Sequence, residues 1–237
     1  MKGTYKMADK IIQIDSLYQK VHDYCFDYRF DGKPDFTVTT TENDICFERK
    51  RSKDDYKYSD EYLEELAVYR KIAEKMPLYD TFLFHGSAIS VDGQCYIFTA
   101  KSGMGKSTHT RLWRQLLTDR AIMVNDDKPL IRVRDDSVTV FGTPYNGKHR
   151  LGNNISVPLK SICILNRSDE NYIRQISEAE AYSVILQQCY RPSDKNTLLK
   201  TLSLIDNMIE HIDLWLLGCN MDISAAQISY NAMKGEY

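Results

Sequence analysis

Cys95-Tyr96-Ile97-Phe98-Thr99, followed by Ala100-Lys101-Ser102-Gly103-Met104-Gly105-Lys106-Ser107, is the stretch that decides the fold. Its first five residues, mostly aromatic or β-branched, have the composition of a strand. The next eight match a phosphate-binding loop in all but one place, with Ala100 where that pattern has its first glycine. In such a loop successive backbone N–H groups turn inward, and the helix that follows adds its positive N-terminal end. Beyond Ser107 and Thr108, the apolar residues Leu112, Trp113, Leu116 and Leu117 recur at helical spacing. Strand, loop, Lys-Ser and helix in that order favour a nucleotide site over a glycine-containing turn that binds nothing. Lys106 then reaches the β- and γ-phosphates, and the Ser107 hydroxyl ligates Mg²⁺.

Working outward, Asp92-Gly93 is a two-residue hairpin turn that pairs residues 88–91 with the strand entering the loop. A short strand at 82–86 precedes it. After the loop helix, residues 121–124 form a buried-strand run ending in Asn125-Asp126-Asp127. A second hairpin joins 130–134 to 138–141 around Asp135-Asp136-Ser137, and residues 142–152 make a glycine-rich basic loop. A strand at 162–165, helices at 177–188 and 197–212, a strand at 214–217 and a helix capped by Asp222 complete the pattern. Nearer the start, strands are expected at 11–14, 36–40 and 45–47, then a solvated mixed-charge loop over 48–57. Ser59 caps a helix with an acidic first turn and an apolar face of Tyr62, Leu63, Leu66, Tyr69, Ile72, Ala73 and Met76. The expected fold is α/β: one mixed domain rich in antiparallel pairings, with residues 1–80 packed on the domain that residues 81–237 build around the loop.

Composition sets limits on function. A chain of 237 residues with 43% hydrophobic and 27% charged content is long enough for a substantial core. A net charge of −2 offers no global attraction to nucleic acid or to a membrane surface. The six cysteines are scattered without C-x-x-C spacing, which fits free thiols in a reducing cytoplasm better than disulfides or a zinc site. There is no apolar run of membrane-spanning length, and residues 1–5 lack the apolar core of a signal peptide. A cytoplasmic protein is expected.

Several side chains could carry chemistry. Asp126 and Asp127, at the carboxyl end of a buried strand, suit a Mg²⁺-nucleotide site: one carboxylate holds the metal and the other accepts a proton. Packed side by side, they could also push one carboxyl pKa upward. The bland alternative is a polar turn leaving a strand. His85 ends a strand fifteen positions before Ala100, so the hairpin could return it to the loop, although a lone histidine is more often structural. His109, on the loop helix, is expected to be structural. Lys148, His149 and Arg150 form a basic segment that could stabilise a transferring phosphoryl group or bind an acidic substrate, or could be only a solvated turn. Asn166-Arg167-Ser168-Asp169 mimics the guanine-reading N-K-x-D of GTPases, but no D-x-x-G precedes it after the loop, and a GTPase is not expected.

Taken together, His85-Gly86, the loop from Ala100 to Ser107 and Asp126-Asp127 resemble the catalytic domain of HPr kinase/phosphorylase, whose fold is shared with phosphoenolpyruvate carboxykinases. Residues 84–88, 102–113, 125–129 and 142–148 resemble still more closely small kinase-like relatives with F-H-G-S-A, S-G-x-G-K-S-T-H-T-R-L-W, N-D-D-K-P and G-T-P-x-x-G-K. The resemblance covers roughly residues 82–165. Thr108 stands where HPr kinase has an acidic residue, and the R-G-L-G segment is only echoed at 150–154. The resemblance implies an ATP- and Mg²⁺-dependent kinase that transfers phosphate to a hydroxyl of a protein or peptide serine or of a small metabolite, and that forms oligomers. Ala100, Lys101, Ser102, Gly103, Met104, Gly105, Lys106, Ser107 and Thr108 would hold the phosphates, and Ser107 with Asp127 the metal. Asp126 would take the hydroxyl proton, tuned by His85, while Lys148 or Arg150 stabilises the moving charge. The reading from a different class is a nucleotide-binding sensor with little turnover. A carboxykinase would need further basic and metal-binding residues that the sequence does not place.

Overall fold

A computed structural model describes residues 1–52, 58–135 and 137–235. It is a mixed α/β structure whose backbone divides into two compact units, Met1–Met76 and Pro77–Tyr237.

The first unit opens with β1 (Lys2–Met7) and β2 (Lys10–Asp15), an antiparallel hairpin turned through Ala8 and Asp9, both at positive φ. A short helix α1 (Lys20–Tyr24) follows, and β3 (Phe36–Thr39) then pairs parallel with β2. Neither β1 nor α1 is foreseen by the sequence pattern. The strand expected at 45–47 is instead part of α2 (Glu42–Arg51). Three adjacent apolar residues carry no period of their own, so local end signals decided. Thr41 and Asp44 close a capping box, the first turn is acidic and the last is basic. Glu48 to Arg51, expected in a loop, therefore belong to the helix, and residues 53–57 lie outside the described residues. In α3 (Asp60–Lys75) the Ser59 hydroxyl accepts from the Tyr62 N–H, as its cap position predicts. The buried face runs through Leu63, Ala67, Val68, Ile72 and Ala73, while Tyr62 is exposed. Glu64 lies on that buried face. Its carboxylate accepts from Leu17 N, Tyr18 N and the Thr40 hydroxyl, so a charge that would otherwise be prohibitive ties three segments together.

The second unit holds a nine-stranded sheet. Its strands are β4 (Thr81–Leu83), β5 (Ser87–Val91), β6 (Gln94–Thr99), β7 (Ala121–Asn125), β8 (Leu130–Arg134), β9 (Ser137–Phe141), β10 (Ser156–Arg167), β11 (Tyr172–Gln175) and β12 (Asp213–Cys219). The main path is β4-β8-β9-β10-β6-β5-β7, and β12 adds to β10 with β11 beyond it. The helices are α4 (Lys106–Leu117), α5 (Glu178–Gln188), α6 (Lys195–Glu210) and α7 (Ile223–Met233). Both expected hairpins form. Asp92 and Gly93 adopt positive φ, which a tight hairpin turn requires. The strand at 82–86 is shorter than expected and stops at Leu83, because Phe84 makes only an isolated bridge, to Cys189. β11 is a further element that the pattern misses.

Alternation along β6 shows why the sheet is buried on both faces. Cys95 and Ile97 enter one core with Phe82, Val124, Ile131, Ile185 and Met208, while Tyr96 and Phe98 enter another with Leu112, Trp113, Leu217 and Tyr230. Helices α5 and α6 cover the first face and α4 and α7 the second. Strands β6, β10 and β12 are mutually parallel, so their carboxyl ends lie side by side. That common edge carries the loop between β6 and α4. Among the described residues no helix is long and apolar enough to cross a membrane, and all six cysteines are free.

His109 sits inside the α4–α7 packing. The Ser229 hydroxyl donates to Ala226 O and accepts from Trp113 Nε1, which leaves its second lone pair for His109 Nε2 at 3.0 Å. Burial pushes the imidazole pKa down to about 4. The folded state therefore refuses a proton that the unfolded chain accepts below about pH 6.5. Stability from this group is complete above that pH and is lost progressively as the pH falls towards 4, by about 3 kcal/mol in all. His109→Gln should remove that part of the acid sensitivity, read as a flatter dependence of melting temperature on pH between 6.5 and 4.5.

Candidate functional site

Local backbone rules shape the loop. Gly103 and Gly105 have φ of +78° and +105°, and a Cβ at either would meet nothing within 4 Å. Glycine is used at both for conformation, not for space. Ala100 is absent from the residues at positive φ, so alanine fits at the first position of the loop without strain. Its side chain is buried in the same core as Phe98 and Trp113. Lys106, nine-tenths buried, donates from Nζ to Ala100 O at 3.2 Å. Burial holds its pKa below the usual lysine value, with the charge of Asp127 opposing that shift. Ser107 at the helix start is exposed.

Asn125, the last residue of β7, is fully buried and organises the acidic pair. Its Nδ2 donates to Thr143 O and Thr143 Oγ1, and its Oδ1 accepts from Asp127 N and Lys128 N. The two carboxylates then part company. Asp126, 5% exposed, accepts from Gly147 N at 2.6 Å. Asp127 Oδ1 lies 3.3 Å from His85 Nε2 and its Oδ2 3.4 Å from Lys128 Nζ. Burial raises the Asp127 pKa, but the hydrogen bond from His85 and the charges of Lys128 and His85 outweigh it and hold the carboxyl below its usual range. Asp127 is therefore not a carboxyl raised by its acidic neighbour. His85 meets Asp127, where the sequence had tied it to Asp126.

His85 is placed from three sides. Its N–H donates to Gln188 O, its carbonyl accepts from Thr99 Oγ1 at the end of β6, and Gly86 N donates to Asp127 O. Its Nδ1 lies 2.9 Å from Gln188 Oε1. Gln188 ends α5, 103 positions along the chain, and carries no sequence signal. Asn125 and Thr143 were legible only as parts of the N-D-D-K-P and G-T-P strings.

The loop over 142–152 joins this site through its backbone, by the Gly147 N–H on Asp126, while Lys148, His149 and Arg150 stand exposed. Gly142 is the close approach that seats it, since a Cβ there would lie 1.8 Å from Asn153 O and 2.8 Å from Val124 O. Among the described residues no group of three His, Cys, Asp or Glu could hold a metal. The exposed Ser107 hydroxyl and an ionised carboxylate of the acidic pair instead suit Mg²⁺, which takes one or two protein oxygens and completes its shell with phosphate and water. Every residue of the site lies in the second unit.

Residues 50–210 match the model of the family SynChlorMet cassette protein ScmC, and the chain belongs to that family. No curated protein matches the chain. Among solved structures, the HPr(Ser) kinase/phosphatase from Coxiella burnetii aligns over 65% of this chain and 99% of its own, at 10% identity and a TM-score of 0.34. A likeness at that level bears on neither the details of the fold nor the function.

Two outcomes follow from the loop geometry. Ala100→Gly should leave phosphate binding within error of the parent protein while lowering stability by about 1 kcal/mol, through the lost buried methyl and the added backbone freedom. Gly142→Ala forces backbone atoms apart and should destabilise by about 3 kcal/mol or more, measured by denaturant unfolding.

Proposed function

For this member of the ScmC family we propose a phosphotransferase that uses Mg²⁺ and ATP and acts on a hydroxyl, of a serine in a protein or peptide or of a small metabolite. The observation that carries this reading is the pairing of His85 with Asp127 beside the loop lysine. A phosphate loop alone binds; a proton acceptor next to Lys106 gives the site something to do with the bound phosphate.

The roles follow from the contacts. Backbone N–H groups of residues 100–105 cradle the phosphates, and Lys106, already desolvated, exchanges its carbonyl partner for a phosphate oxygen. Ser107 and a carboxylate of the acidic pair would hold Mg²⁺, which when bound would neutralise charge on the phosphate oxygens. The acceptor oxygen forms a bond to the γ-phosphorus as the bond to the β–γ bridging oxygen breaks and ADP leaves. The proton of the hydroxyl goes to the His85–Asp127 pair. His85 Nε2 donates to Asp127 Oδ1 and Gln188 holds the ring at Nδ1, so the Asp127 carboxylate is fixed in place to accept that proton. Asp127 therefore takes the role that the sequence suggested for Asp126. Asp126, pinned by Gly147, positions the basic loop, from which Lys148 or Arg150 meets the transferring phosphoryl group or an acidic acceptor.

Asp127→Asn should lower kcat by about 10²–10⁴-fold while ATP affinity stays within a few-fold of the parent. Lys106→Ala should lose ATP binding itself, measured by titration calorimetry with Mg²⁺ present. A parent protein that binds ATP but transfers phosphate to no serine peptide or hydroxyl metabolite in a broad screen would replace the kinase with a nucleotide sensor. Asp126→Asn with the larger loss would return the proton to Asp126.

A further inference from the structure

Beside the phosphate loop, on the opposite side of β6 from β5, lies a cavity of about 620 Å³. One wall is the loop and the start of α4, at Gly103, Met104, Gly105 and Thr108. The other is formed where β10 and β12 end, at Arg167, Ser168 and Asp169 and at Cys219, Asn220 and Met221. None of these wall residues beyond the loop has a part in the chemistry above.

Four observations show this to be a prepared surface. First, the two strand-end segments are clasped together. Asn220 N donates to Asn171 Oδ1, Asn171 Nδ2 donates to Asn220 Oδ1, and Asn220 Nδ2 donates to Asp169 O. Asn171 also donates to the Ser224 hydroxyl at the start of α7. Second, Arg167 donates to Gly103 O at 2.9 Å, which holds the phosphate loop at a fixed distance from the far wall. Third, Met221 is 79% exposed, a large apolar side chain left in solvent at the mouth of a cavity that Met104 lines from the other side. Two polarisable thioethers make a surface suited to a flat aromatic ring. Fourth, the cavity opens at the carboxyl ends of parallel strands, where open α/β sheets bind ligands, and its size is that of a small-molecule pocket.

We propose that this cavity receives the nucleoside of the bound nucleotide, its base against the thioethers of Met104 and Met221 and its N–H edge toward the Asp169 carboxylate. The inference rests on the nucleotide reading above and extends it to the part of the ligand that the phosphate loop cannot recognise. A carboxylate only accepts hydrogen bonds, so Asp169 selects bases that present an N–H donor, the amino group of adenine among them. The segment 166–169, which by pattern alone mimicked a base-reading motif, here stands where a base would be read.

The test compares Mg²⁺-ATP with Mg²⁺-tripolyphosphate, which carries the phosphates without a nucleoside. In the parent protein ATP should bind at least ten-fold more tightly than tripolyphosphate. Met221→Ala and Asp169→Asn should each remove most of that difference by weakening ATP alone, and Ser168→Trp, which fills the cavity, should abolish it. Melting temperatures identify any variant that fails to fold, and the remaining variants then decide. Equal affinity of the parent for the two ligands, or variants that bind ATP as the parent does, would overturn the nucleoside pocket and leave the phosphate loop standing. A parent that binds neither ligand would remove the nucleotide reading and this inference with it.

Discussion

One buried amide holds the site in register. Asn125 has two N–H donors and an oxygen that accepts twice, and all four are used: two on Thr143 and two on the backbone of Asp127 and Lys128. Thr143 is filled in turn, its hydroxyl donating to Lys128 O while it accepts from Asn125 and from Tyr145 N. Both residues are fully buried, so any partner removed leaves a polar group stranded in the core. The consequence is geometric. The chain leaving β7 is bent into a fixed turn against the loop over 142–152, and the two carboxylates take their directions from that turn.

The divergence of Asp126 and Asp127 gives the neighbours different work. One carboxylate is spent on a backbone N–H of the basic loop, and the other faces a histidine and a lysine. The histidine is held to the same strand end that delivers the glycine-containing loop, because the Thr99 hydroxyl donates to His85 O just before Ala100. Loop, histidine and acid are thus joined through short contacts around β5, β6 and β7, which are neighbours in the sheet. The antiparallel partner β5 matters for that reason: it returns the chain from His85 directly alongside β6.

Much of this was legible in order along the chain. The strand–loop–helix unit, both hairpins and the caps at Ser59 and Asp222 depend on residues within a few positions of one another, and each formed as its local pattern requires. Where local signals conflicted, the sequence misled. Residues 45–47 looked like a strand until the capping box and end charges of α2 are counted. In α3 the expected face holds at Leu63, Ile72, Ala73 and, at the C-cap, Met76, but Tyr62 at its margin is exposed and Glu64, unforeseen in the core, is buried on three donors.

Residue order alone gives a loop of phosphate-binding pattern, the alanine at position 100 that interrupts that pattern, and the acidic pair and histidine that accompany it. That Ala100 sits without backbone strain emerged from the fold, because it depends on a backbone angle. The fold alone also decided that His85 faces Asp127 and that Gln188, over a hundred positions away, orients the ring. Successive residues leaving a strand diverge, so adjacency in sequence cannot say which of two acids faces a given partner. The cavity walled by residues 167–169 and 219–221 exists only because β10 and β12 lie parallel to β6, a pairing between segments that share no local signal.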